Sequence, residues 1–213
     1  MNLYSKQLNS LHITEGDVAF FRDNNPGFCG VDPSRVSRFL IAQLAAVSKH
    51  RIFNSFSVTD VIQQLEGVGR IGCAKREEPF KHSPLKGFWK AHFFDARFLM
   101  KNLTNHWGLE SKESPKFDGL CSRVAVEEEK SPSAFDWQDR FAHELTIGGY
   151  KARAKRKKLT GEWIIFAKHD ELNYYLCLAK HSTSKEDDSQ IYALINAICA
   201  HEYPFLSQPC TRR

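Results

Sequence analysis

The chain has 213 residues, 42% of them apolar and 12% aromatic, with a net charge of +5. That supply of apolar side chains suits a sizeable core and excludes general disorder. No apolar run approaches the roughly 20 residues that span a bilayer, and the first residues lack the apolar stretch of a secretory leader. A cytoplasmic protein with no membrane partner is expected.

Residues 1–30 read as irregular or weakly β, with Asp17–Phe21 as a short strand and Asn24–Gly27 as a turn. Asp32-Pro33 then starts a helix to about His50, on the stripe Val36, Phe39, Leu40, Leu44 and Val47. A second helix is predicted from Ser57, whose spacing to Asp60 resembles a capping box, and Gly67 stops it. The glycines between 67 and 72 follow a helix and have neither Walker nor Rossmann spacing, so they read as a loop. Residues 73–87 read as a polar surface connection.

Phe88–Leu103 is predicted helical, ended by Gly108. Residues 110–118 read as loop and Ser122–Val126 as a short strand. Helix signals return at Ser133 and Asp136, with Phe135, Phe141, Ala142 and Leu145 toward the core. A β-hairpin is predicted over 162–181. With a loop from His169 to Asn173, Ile164 would face Leu178, Phe166 would face Leu176 and Lys168 would face Tyr174. Trp163, Ile165, Tyr175 and Cys177 would share the opposite face, and both faces read as buried. A final helix is predicted from Asp187 or Asp188 until Pro204 ends it.

Helices first and the clearest sheet late point to an α+β fold, with helices packed on a small antiparallel sheet centred on the hairpin. We expect a single domain, with loop boundaries near 73–87 and 110–121. Cys29, Cys73, Cys121, Cys177, Cys199 and Cys210 form no C-x-x-C pair. They read as reduced and mostly buried, and no bound metal or cofactor is expected.

Function rests on the distribution of charge. Residues 151–158 hold six cations, Lys151, Arg153, Lys155, Arg156, Lys157 and Lys158, and no acid. A helical last turn explains two or three of them, and a polyanion partner explains all six. In the 81–101 segment, Lys86, Lys90, Arg97 and Lys101 would fall close to one helical face, a second basic stripe. Tyr150 and Trp163 flank the first run and would stack on bases if exposed, though Trp163 reads as core. The expected partner is nucleic acid, RNA ahead of DNA, with an acidic protein as the alternative.

If the protein is an enzyme, metal-independent phosphodiester cleavage fits this inventory. It needs a proton acceptor, a proton donor and a cation beside the phosphate. His169 and His181 would serve as base and acid, with Lys168, Lys86 and Tyr174 beside them, the residue types that small bacterial ribonuclease toxins use. Asp118, the apolar Val124–Val126, then Glu128 and Lys130 faintly resemble the PD-(D/E)xK pattern of metal-dependent nucleases. That resemblance implies carboxylates holding magnesium beside an assisting lysine.

Overall fold

A computed structural model of the chain describes residues 3–68, 77–131, 136–155, 162–180 and 184–207. The elements in chain order are α1 (Leu3–Ser10), α2 (Glu15–Asn24), α3 (Arg38–Lys49), α4 (Phe56–Leu65), β1 (Glu78–Pro79) and β2 (Trp89–Phe93). Then come α5 (Leu99–Trp107), α6 (Pro115–Lys130), α7 (Asp136–His143), α8 (Gly149–Lys155), β3 (Glu162–His169), β4 (Leu172–Ala179) and α9 (Lys185–Cys199). Short 3₁₀ turns cover Pro26–Phe28, Pro33–Arg35, Ala96–Phe98 and Pro204–Ser207, and a π-turn covers Glu144–Gly148. The fold is α+β, with a four-stranded antiparallel sheet in the order β1-β2-β3-β4. Two compact units form: a first from Met1–Phe94 with Gly161–Arg213, and a second from Asp95–Thr160.

In the first unit the hairpin is the middle of the core. Ile164 and Phe166 pack on one face with α3, α4, Ala91 and Phe93, while Trp163, Ile165 and Ala167 pack on the other with α9. The predicted burial of both faces is therefore observed. The loop is shorter than expected. Only Asp170 and Glu171 turn the chain, at φ of +48° and +63°. Two left-handed residues match the twist of the strands, as in a type I′ turn.

The register follows expectation at Ile164↔Leu178 and then slips. Ile165 pairs with Cys177, but Phe166 pairs with Tyr175 and Lys168 with Asn173, so Leu176 is the extra residue of a β-bulge. Tyr175 consequently turns to the Ile164 and Phe166 face, not to that of Trp163 and Cys177. The bulge has a use. Ser37, the N-cap of α3, donates its hydroxyl to Leu176 O at 2.6 Å and its backbone N–H to Tyr175 O at 2.9 Å.

β4 is an edge strand whose polar groups are covered by side chains of the helical layer. Gln43 donates to Leu178 O at 3.0 Å and accepts from Leu178 N at 2.7 Å, and Arg35 donates to Asn173 O at 3.1 Å. Such cover removes a template for edge-to-edge association.

Several predicted elements are corrected. Residues 17–21 are helical, because Thr14 and Asp17 form a reciprocal capping box that starts α2. The 32–50 helix is two pieces, a 3₁₀ turn from Pro33 and α3 from Arg38, separated where Val36 bridges to Tyr175. The next helix starts at Phe56 rather than from a Ser57 cap. Residues 122–126 lie inside α6, which Ser114 caps and Pro115 opens. The largest correction is 88–103. Trp89–Phe93 is strand, and Asp95 accepts Arg97 N at 3.0 Å in a local turn, so helix begins only at Leu99.

The second unit has a smaller core of Leu103, Trp107, Leu120 and Val124, edged by Phe117, Phe141 and Leu145. Trp107 Nε1 donates to Leu145 O at 2.8 Å, inside the π-turn. A Cβ on Gly149 would lie 2.6 Å from that nitrogen, so only glycine lets α8 start this close to the tryptophan. Gly67, at φ +72°, ends α4 as expected. Among the described residues, no helix is long and apolar enough to cross a membrane.

Candidate functional site

The hairpin end does gather some of the expected catalytic residues. His169 and Tyr174 approach with ring centroids 6.2 Å apart. His169 lies flat on Phe205 at 4.2 Å and 4°, and Tyr174 meets Phe205 at 4.8 Å and Tyr203 at 5.2 Å. These rings make an aromatic corner from β3, β4 and the 204–207 turn. Lys168 faces other partners. It pairs with Glu77, and its ammonium sits 4.1 Å from the centre of the Trp89 ring. Lys86 is exposed in the loop between buried Leu85 and Phe88, with no ion pair among the described residues. His181 lies outside the described residues.

The 86–101 basic stripe is not formed, because its helix is not formed. Lys86 and Lys90 belong to the first unit, Arg97 and Lys101 to the second. The Lys90 ammonium lies 4.3 Å from the Trp163 ring and 5.0 Å from that of Phe80, spent on the sheet's own aromatics. Trp163 is 5% exposed and belongs to the core, as expected. Arg97 pairs with nearly buried Asp95 at 3.0 Å.

The 151–158 run divides in the same way. Arg153 donates to the buried Asn102 Oδ1 at 3.0 Å and so ties α8 to α5, and burial lowers its pKa. Lys151 and Lys155 are exposed one turn apart on α8, and Lys101 is exposed on α5, the helix against which α8 packs. Arg156, Lys157 and Lys158 lie outside the described residues and continue the chain directly from Lys155. In this unit the cations that hold the fold, Arg97 and Arg153, are thus separable from those that face solvent.

Asp118 and Glu128 are ten residues apart on α6, about 15 Å at 1.5 Å per residue. Glu128 also faces Arg140 at 3.3 Å. A helix in place of the expected strand leaves these two carboxylates too far apart to share one ion. No group of three metal-ligating side chains occurs among the described residues.

The sequence reading missed a nearly buried ion pair. Arg35 Nη2 meets Glu66 Oε2 at 2.5 Å, with the side chains 11% and 10% exposed. Glu66 Oε1 accepts from Tyr175 Oη at 2.7 Å and from Asn173 Nδ2 at 3.2 Å. Burial pushes the Glu66 carboxyl upward, but the bonds from Arg35, Tyr175 and Asn173 outweigh it and leave the pKa below the usual value. Burial and the bond to Glu66 raise the Tyr175 phenol. Every partner is satisfied, so the group reads as a clamp between the 33–35 turn, the end of α4 and β4. Its only sequence signal was Glu66 beside Gly67, since its other members lie more than 30 positions away on one side and more than 100 on the other.

The thiols divide too. Cys177 and Cys199 are buried and burial raises both, Cys199 to about 12, whereas Cys29 and Cys121 are exposed rather than buried. Cys73 and Cys210 lie outside the described residues. No family model, curated protein or solved structure matches this chain.

Proposed function

We propose that the protein binds a polyanion, single-stranded RNA ahead of DNA, through the second unit: Lys101 on α5, Lys151 and Lys155 on α8, and the following Arg156, Lys157 and Lys158. One observation carries this reading. On α8 the basic side chains divide by role, Arg153 turned inward to Asn102 while Lys151 and Lys155 stay in solvent, and no acid occurs from 149 to 160. Cations that hold the fold need no ligand. Exposed like charges close together repel one another and gain when phosphates neutralise them and release counterions.

Lys90, Arg97, Arg153 and Lys168 are left out of the interface because each already has an aromatic, carboxylate or amide partner. We assign no cleavage step to the hairpin, since Lys168 is held by Glu77 and His169 lies flat on Phe205.

The test is to incubate the purified protein with labelled single-stranded RNA and DNA, in EDTA or in magnesium, and follow binding and cleavage together. Retention of intact RNA that weakens steeply with salt is the expected result. Cleavage that survives EDTA and is lost in His169→Ala would restore a catalytic role to the hairpin end. No retention of either nucleic acid at low salt would remove the proposal and leave an acidic protein as the partner for these cations.

A further inference from the structure

The first unit holds a concave feature that nucleic-acid binding leaves unused. Between α2, the end of α3 and the 50–56 loop lies a cleft of about 760 Å³, within the size range of small-molecule sites. Phe20, Phe21, Phe53 and Phe56 line it. Phe21 is buried and Phe53 stacks on Phe93 at 5.3 Å, so one wall is fixed by the core. Phe20 and Phe56 are different: they are 70% and 40% exposed, two phenyl rings left open to water beside a cavity. Flat apolar faces in that position suit a flat apolar ligand.

The charge of the lining is uneven. Its ionisable side chains are Asp17, Lys49 and Arg51. Lys49 meets Asp17 Oδ2 at 2.8 Å, and that bond, with those from Thr14, holds the Asp17 carboxyl at about 2. The pair is neutral overall. Arg51 is exposed, and among the described residues its guanidinium meets neither a carboxylate nor a hydrogen-bond acceptor. One uncompensated cation therefore remains at the cleft.

The backbone makes Arg51 more informative. It closes α3 at φ +51°, with Arg51 N donating to Ser48 O at 3.2 Å and Ile52 N to Val47 O at 3.0 Å. These are the paired bonds of a Schellman motif, at the position where glycine is the unstrained choice. An arginine here is strained, and among the described residues no hydrogen bond or ion pair of its side chain offsets the strain. A ligand for the guanidinium would. Nearby, Asn54 Oδ1 accepts Phe56 N at 3.1 Å, and among the described residues its amide N–H groups have no acceptor, so they remain for a ligand.

We propose that this cleft binds a small planar aromatic molecule bearing an anionic group. The ring lies against Phe20 and Phe56, and the anion takes Arg51, with Asn54 as a second donor. Nucleoside monophosphates and aryl carboxylates share this chemistry. The inference rests on the first unit alone and is independent of the RNA reading.

The experiment is calorimetric titration of the full chain with adenosine monophosphate, adenosine, 1-naphthoate and inorganic phosphate. Adenosine monophosphate or 1-naphthoate should bind saturably, with adenosine and phosphate roughly tenfold or more weaker, as expected when a charged hydrogen bond or the ring is missing. The nucleotide alone would name a nucleotide source, and naphthoate alone an aryl acid. Arg51→Gly should keep or raise the melting temperature, because glycine suits that backbone, yet lose the preference for the anion. Phe20→Ala should weaken both anionic probes while leaving the fold intact. Saturable binding of neither anionic probe would overturn the proposal. So would Arg51→Gly binding like wild type, or binding lost only when Lys101, Lys151, Lys155, Arg156, Lys157 and Lys158 become Ala, which would place the ligand on the basic helices.

Discussion

The two units divide their cations differently. In the first, Arg35 is closed on Glu66, Lys168 on Glu77 and Lys90 on the Trp163 ring, while Lys86 and Arg51 stay open. In the second, whose core cluster among the described residues is Leu103, Trp107, Leu120 and Val124, Arg97 and Arg153 are closed while Lys101, Lys151 and Lys155 stay in solvent. The difference teaches that a count of cations says little about binding. What matters is which cations already have partners, and only a structure sorts them.

The comparison breaks most visibly at the clamp. Glu66→Gln leaves the nearly buried Arg35 with only the exposed Asp32, 3.9 Å away, as counter-charge and should cost about 3 kcal/mol of folding stability. Urea unfolding measures it, and a cost under about 1 kcal/mol would mean that the network does not hold the first unit together.

Ser37→Ala removes the hydroxyl that both caps α3 at Leu40 N and takes the bulge carbonyl of Leu176. About 1–2 kcal/mol should be lost. In the second unit the equivalent close fit is Gly149 against Trp107. Gly149→Ala should raise helix propensity by up to about 1 kcal/mol, yet destabilise by about 1–2 kcal/mol net, because the new Cβ meets the indole. A shifted tryptophan emission should accompany the lower midpoint, and a stabilised variant would show that the packing is slack.

Acid sharpens the contrast gently. The folded Glu66 carboxyl lies below its ordinary value of about 4.5, so its contribution is complete above that pH and is lost as pH falls through the folded value. The unfolding midpoint of wild type should therefore fall below about pH 4.5 by more than that of Glu66→Gln. Parallel pH curves would remove Glu66 from the account.

Much of the fold was legible. The hairpin was readable because two apolar runs flank polar residues, and α9 because Ile191, Leu194, Ile195 and Ile198 keep one helical face. The bulge was not, since Tyr175, Leu176 and Cys177 are all apolar and alternation cannot say which one is extra. Trp89–Phe93 was misread although Trp89, Ala91 and Phe93 alternate with Lys90 and His92, because the five residues run on into Phe98, Leu99 and Leu103, which together offer a longer helical pattern. The caps at Thr14 and Ser114 were present in the sequence but masked by Gly16 and by the charged 110–113 stretch. Of the site, the basic run was legible as a run. Its division into Arg153 on one side and Lys151 and Lys155 on the other was not, because Asn102 lies 51 residues away. Arg51 gave no signal at all: nothing in the sequence marks a helix end that takes arginine where glycine fits.

The most direct measurement is the salt dependence of single-stranded RNA binding by wild type and by a variant with Lys101, Lys151, Lys155, Arg156, Lys157 and Lys158 changed to Ala. If all six meet phosphates, the logarithm of affinity should fall with that of salt at a slope of about −4 in wild type, and the variant should lose most of that slope with its fold intact. An equal slope and affinity in the two proteins would contradict the assignment of the interface to the second unit.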